Sequence, residues 1–244
     1  MTRYTFGDDE PAIQRLALVA RAYEPASRAF LERNAPTDAP VALDLGSGPG
    51  FSTELIALTC RPRTLIGLDS SEQFLRAARA RVPGALFETH DVSVVPFPTP
   101  PPDMIYARLV LAHLPDPSSI VDRWRQQLAT GGVFLSEELD DIEAPAGALR
   151  DYDRLSADIV QRGGGVMYAG PLLDHLGGRC VRVVATDALA ARIYSFNVRL
   201  WRVHGDSGVP TERLIELEQA LAELAGTQDG RTVTWVVRQT VVRG

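Results

Sequence analysis

The sequence predicts an α/β fold: a doubly wound, mostly parallel seven-stranded sheet with helices on both faces and an α-helical N-terminal and cap region. Three observations carry this prediction. Short apolar runs alternate with helical patterns between Val41 and Ser136, a glycine-rich loop follows the first of those runs, and a long β-branched run, Thr232 to Val242, supplies a strand that can close the sheet.

The elements follow in order. Pro11 to about Arg33 reads as helix, because Ile13, Leu16, Val19, Ala20 and Tyr23 recur at helical spacing, and Pro25 is expected to start a second short helix. Asn34 to Pro40 is a turn-rich connector. Val41 to Leu45 is a short, mainly apolar run broken only by Asp44, suited to a buried parallel strand. Gly46 to Gly50 form a tight loop, and Ser52 to Thr59 a helix. Thr64 to Asp69 reads as strand, Ser71 to Val82 as helix, and Ala85 to Thr89 as strand. The proline run Pro96 to Pro102 is a stiff loop before the strand Met104 to Ala107. Ile120 to Leu128 is a helix, which Gly131-Gly132 turns into the strand Val133 to Ser136. Beyond it the rhythm breaks: Leu149 to Arg162 is helical, Gly163-Gly164-Gly165 reads as a mobile joint, Cys180 to Thr186 is strand and Thr211 to Ala225 helix.

With 244 residues the chain suits one domain better than two. We divide it into an N-terminal helical cap (1–40), a cofactor-binding core (41–136) and a substrate lid with closing strands (137–244). The net charge of −6 gives no basic face for nucleic acid. All 25 basic residues are arginine, so lysine-based covalent chemistry is excluded. Cys60 and Cys180 match no zinc or redox spacing and read as free thiols. The first residues turn acidic where a signal peptide would turn apolar, and no run is long and apolar enough to span a membrane, so a cytoplasmic location is expected.

The most informative stretch is Asp44-Leu45-Gly46-Ser47-Gly48-Pro49-Gly50. A loop after the first strand of a doubly wound sheet is the usual ligand cradle, and the following helix directs free N–H groups toward it. A dinucleotide loop needs G-x-G-x-x-G, and Phe51 occupies the third glycine's place. A carboxylate just before the loop suits a ligand with an amino group and no pyrophosphate. The second strand ends in Asp69, placed to accept from both hydroxyls of a ribose, and the third leads to Asp91, which can accept from an adenine amino group. The fourth runs into Arg108-Leu109-Val110-Leu111-Ala112-His113-Leu114-Pro115-Asp116-Pro117.

These four segments, in this order, resemble the class I S-adenosylmethionine (SAM)-dependent methyltransferases, from roughly Tyr4 to Ser136 and more loosely beyond. The resemblance implies SAM as cofactor, no metal, and a methyl acceptor that is a small molecule. By that likeness Asp44 belongs to the cofactor site. Gly46, Ser47 and Gly48 contact the methionine part, Asp69 and Ser70 the ribose and adenine, and Asp91 and Val92 the adenine. Arg108 presents backbone near the methionine moiety, its side-chain role being open. A subgroup that opens with a Tyr and an Arg-bearing helix implies that Tyr4 covers SAM and Arg15 pairs with its carboxylate.

Methyl transfer is a displacement in which the enzyme aligns a nucleophile and excludes water. An acidic acceptor also needs a base, and His113, whose ordinary pKa suits that role, is the first candidate; the alternative is that it only shapes the loop. Glu137 or Glu138, at the head of an acidic run expected as a loop, could accept a proton or bind an amine or indole N–H, and Tyr23 follows. Tyr4, Phe6, Tyr23, Tyr168 and Trp201 lie outside the core sheet and are expected to cap the pocket, favouring a flat or cationic metabolite over a polyanion. The acceptor atom is left as O, N or an electron-rich carbon such as an indole position. The alternatives are a protein or RNA methyltransferase, disfavoured by the charge, and a SAM binder that does not methylate. A homodimer is left open.

Overall fold

The structure, a computed structural model, describes residues 7–204, 207–227 and 230–244. Helix α1 (Glu10–Asn34) starts where the Asp9 carboxylate accepts from the Ala12 N–H at 3.0 Å. It runs through Pro25 without breaking, so the expected second helix is not separate. Proline removes one helical hydrogen bond, but Tyr23, Ser27, Phe30 and Leu31 continue one buried stripe across it, and that burial holds the helix together.

Strands β1 (Val41–Leu45), β2 (Thr64–Asp69), β3 (Leu86–Thr89), β4 (Met104–Arg108) and β5 (Val133–Glu143) pair in parallel. Between them lie α2 (Phe51–Thr59), α3 (Glu72–Arg81) and α4 (Pro117–Arg125). The last third supplies α5 (Ala148–Arg162), β6 (Arg179–Thr186), α6 (Asp187–His204), α7 (Thr211–Ala225) and β7 (Thr232–Arg243). The sheet order is β3-β2-β1-β4-β5-β7-β6, with β7 antiparallel to both neighbours, so the seven-stranded sheet is mixed. Chain direction across the sheet reverses between β1 and β4, which opens a crevice beyond their carboxyl ends.

Side chains alternate between the two faces. Ala42, Met104, Tyr106 and Leu135 meet α1 and α2 through Phe30, Leu31, Leu55 and Ile56. Leu43, Leu45, Ile105 and Phe134 meet α4 through Ile120, Val121 and Trp124. Covering both faces is what requires apolar residues at successive strand positions, such as Ala42 with Leu43 and Phe134 with Leu135. A third cluster joins α5, α6 and α7 to the outer strands through Tyr152, Tyr194, Trp201, Leu217 and Trp235.

Two expectations are corrected. β5 does not end at Ser136; it continues to Glu143, paired with β7 as far as Thr234, with a register shift between Leu139 and Asp141. The acidic run Glu137 to Asp141 is therefore strand, made possible by an antiparallel partner far along the chain. The acidic run is thus one corrected expectation, and α6 is the other departure: its segment carries no boundary signal, because β6 passes straight into it at Asp187 without a glycine or proline.

Candidate active site

The loop after β1 is shaped by glycine. Gly46 has φ +64°, and a Cβ there would lie 2.6 Å from Val110 Cγ2, so the loop packs directly on the segment after β4. Gly48, at φ +52°, faces open space, and its N–H donates to Asp69 Oδ2 at 2.9 Å. The other Asp69 oxygen accepts from the Ser71 N–H at 2.8 Å. Burial raises the Asp69 pKa, opposed by these backbone donors. Ser47 is buried, and its hydroxyl has no hydrogen-bond partner among the described residues. Asp44 sits behind the loop. One of its oxygens accepts from Ser52 Oγ (2.8 Å) and Thr53 Oγ1 (2.6 Å), bracing the start of α2. Burial pushes its carboxyl up to about 6 against those two bonds.

A cavity of about 550 Å³ begins at this cradle. On the β2–β3 side it is lined by Asp69, Ser70, Asp91 and Val92. Where α1 crosses the end of β4 it is lined by Arg15, Arg108 and His113. Over β5 and β7 it becomes an aromatic chamber of Tyr23, Tyr152, Tyr194 and Trp235, with Asn197 as a polar wall. Tyr152 and Tyr194 stack at 3.8 Å and 10°, Tyr23 lies 5.6 Å from Trp235, and the Trp235 indole N–H donates to the Tyr194 hydroxyl at 2.8 Å.

A family description, methyltransferase domain, matches residues 43–136. The trans-aconitate 2-methyltransferase of Methylobacterium nodulans is 39% identical over 139 residues, 57% of this chain and 53% of that one. The protein of the same name from Azoarcus is 30% identical over 211 residues, 86% of this chain and 72% of its own length. The chain belongs to the class I S-adenosylmethionine-dependent methyltransferase family. A SAM-dependent methyltransferase of Thiobacillus denitrificans shares the fold, with a TM-score of 0.51 at 16% identity over 91% of this chain and 90% of that one. The chain spans about half the length of the Methylobacterium relative, 53% of it.

In this member of the family the expected residues fall into three groups. Gly46, Ser47, Gly48, Asp69, Ser70, Asp91, Val92, Arg15 and Arg108 all line the cavity, as do His113 and Tyr23. Tyr4, with Phe6, lies outside the described residues. Asp44 and Glu137 do not line it, which corrects both. Asp44 acts one layer back, through the loop. Glu137 is fully buried under α1, accepting from the Tyr106 hydroxyl at 2.5 Å and from Gln239 Nε2 at 2.8 Å. Strand alternation turns Glu138 to the opposite face, where one oxygen accepts from the N–H groups of Val110 and Leu111, both at 2.9 Å. Burial pushes its carboxyl up to about 8.

His113 is lowered to about 4 by burial and by the neighbouring Arg15 charge, so at neutral pH it is an uncharged imidazole and a weak base. Burial drives the Tyr23 hydroxyl well above its ordinary value, so no phenolate forms there. Of the other expected cap aromatics, Tyr168 hydrogen-bonds Asp153 and Trp201 stacks beneath Tyr152; neither lines the cavity. The chamber's real walls, Tyr152, Tyr194, Asn197 and Trp235, carry no motif. Gly163 to Gly165 is pinned: Gly165 N–H donates to Val160 O (3.0 Å), Val166 N–H to Ala112 O (2.9 Å), and a Cβ on Gly165 would fall 2.2 Å from that Ala112 oxygen. Among the described residues no group of three His, Cys, Asp or Glu is placed to hold a metal, and no helix is long and apolar enough to cross a membrane.

Proposed function

We propose that this chain transfers a methyl group from SAM to the oxygen of a small organic acid. The observation that carries the reading is the single cavity that joins the Gly48–Asp69 cradle to the aromatic chamber. The cradle fits the cofactor. Gly48 presents open space, the Ser47 hydroxyl has no partner among the described residues, and Asp69, which accepts from the Gly48 N–H on one oxygen and the Ser71 N–H on the other, keeps capacity for a ribose hydroxyl. Asp91, held by the N–H and hydroxyl of Ser93, is positioned for an adenine edge. Arg15 is the cation for the methionine carboxylate.

When bound, SAM supplies an electrophilic methyl on a sulfonium. The chain's own work is to align the acceptor and exclude water. The relatives' names specify an acid, trans-aconitate, as acceptor, and an acid oxygen suits a chamber without a strong base. An indole-type acceptor finds no support among these relatives. Calorimetry with SAM and S-adenosylhomocysteine is the test. Asp69→Ala should lose roughly 1.5–3 kcal/mol, more than tenfold in affinity. An unchanged dissociation constant would remove Asp69, and with it this placement of the cofactor.

A further inference from the structure

We propose that the acceptor is a planar monocarboxylic acid, held with its carboxylate at Arg108, its flat body among Tyr23, Tyr152, Tyr194 and Trp235, and a hydrogen-bonding group at its far end on Asn197. The inference rests on the methyl-transfer reading above and narrows its substrate class.

Charge is the first argument. The carboxylates that line the cavity, Asp8, Asp69 and Asp91, are near the start of α1 and on the β2–β3 side. Glu137 and Glu138 are turned into the two faces of the sheet, so among the described residues the chamber has no carboxylate base. His113 is a weak base and Tyr23 holds its proton. An acceptor in this chamber must bring its own nucleophile, and a carboxylate is already ionised at neutral pH. Its oxygen forms the O–C bond as the S–C bond breaks, the electron pair stays on sulfur, and no proton is released.

Arg108 supplies the complementary cation. It lines the cavity half-buried, and its guanidinium makes one long hydrogen bond, 3.4 Å to Ser27 Oγ, with no ion pair within 4.0 Å among the described residues. Its planar donor fork matches a carboxylate. With Arg15 beside His113 and assigned to the cofactor, one arginine remains for the acceptor. A tricarboxylate would leave two further charges among Tyr152, Tyr194, Trp235, Leu139 and Ile142, where nothing charged lines the wall.

Asn197 is the independent observation. It is 3% exposed and lines the cavity; its Nδ2 is engaged with the Tyr152 hydroxyl, and its Oδ1 has no partner among the described residues. A buried amide oxygen on an otherwise apolar wall calls for a donor from the ligand. A hydroxyl on the distal end of an aryl or conjugated acid provides it.

The experiment is calorimetry on the full chain loaded with S-adenosylhomocysteine, using benzoate, cinnamate, their 4-hydroxy forms, the matching primary amides, and trans-aconitate. At least one aryl acid should bind tenfold or more tighter than its amide and than trans-aconitate. Arg108→Gln should weaken the acid at least tenfold while leaving S-adenosylhomocysteine unchanged. Asn197→Leu should weaken the hydroxylated acid several-fold and spare its unhydroxylated parent, a comparison that holds even if the Arg108 variant does not fold. Tighter binding of trans-aconitate, or no binding by any aryl acid, overturns the inference and leaves the methyl-transfer reading standing. An equal loss of cofactor in Arg108→Gln assigns that side chain to the cofactor and also overturns it. Failure of the wild-type chain to bind S-adenosylhomocysteine defeats the underlying reading itself.

Discussion

Replacing Glu138 with Gln should flatten the alkaline side of the stability–pH curve. In the fold this carboxyl is pushed from 4.5 to about 8 by burial, despite the N–H groups of Val110 and Leu111 on one oxygen, while its second oxygen has no partner among the described residues. Across that window the folded chain holds a proton that the unfolded chain has released, so stability falls as pH rises. His113 runs the other way: its pKa drops from 6.5 to about 4, and its contribution is present above 6.5 and lost as pH falls toward 4. Asp44, raised from 3.8 to about 6, loses its contribution by about pH 6.5. Above about pH 6.5, Glu138 is therefore the one of these three still titrating. At about 1.4 kcal/mol per pH unit, and allowing for half-ionisation at the folded pKa, the loss between about pH 6.5 and 9 comes to about 2 kcal/mol. Glu138→Gln keeps an acceptor for both N–H groups and carries no titrating proton. Urea denaturation at about pH 6.5, 7.5 and 9 measures it. A wild-type curve flat over this range, or a variant that falls as steeply as the wild type, would refute the reasoning.

Two further outcomes follow from the cavity's geometry. For a carboxylate acceptor His113→Asn should keep turnover within about tenfold with SAM affinity intact, whereas a fall of about 10²–10⁴ would show that a proton is being removed there. Gly165→Ala forces a Cβ onto the Ala112 carbonyl, 2.2 Å away, and should destabilise the chain by about 1–3 kcal/mol in thermal melts; an unchanged melting temperature would show that the connector yields freely.

The part of the cavity around Gly48 and Asp69 was readable because its signals are local. Asp44 to Gly50, Asp69 and Asp91 each lie at or just beyond the end of a strand, and the strand–loop order fixes where those side chains emerge. The aromatic chamber was not, because its walls are assembled from α1, α5, α6 and β7, distant segments that share no spacing. Tyr152 and Trp235 look like ordinary core in the sequence, and much of their surface is core. Glu137 misled for a physical reason. An acidic run reads as a solvated loop, yet Gln239, about a hundred residues on, satisfies one oxygen and Tyr106 the other, so the charge can be buried in a strand.

The position of β7 bears on how the chain is made. It follows the other six strands in sequence, yet it lies between β5 and β6 and contributes both Trp235 to the chamber and Gln239 to the Glu137 carboxylate. As synthesis proceeds, β1 to β5 can pair while β6 has no neighbour and Glu137 lacks its amide donor. A nascent chain stalled before Thr232 would thus present a nearly complete Gly48–Asp69 cradle beside an open sheet edge, with the aromatic chamber lacking its Trp235 wall.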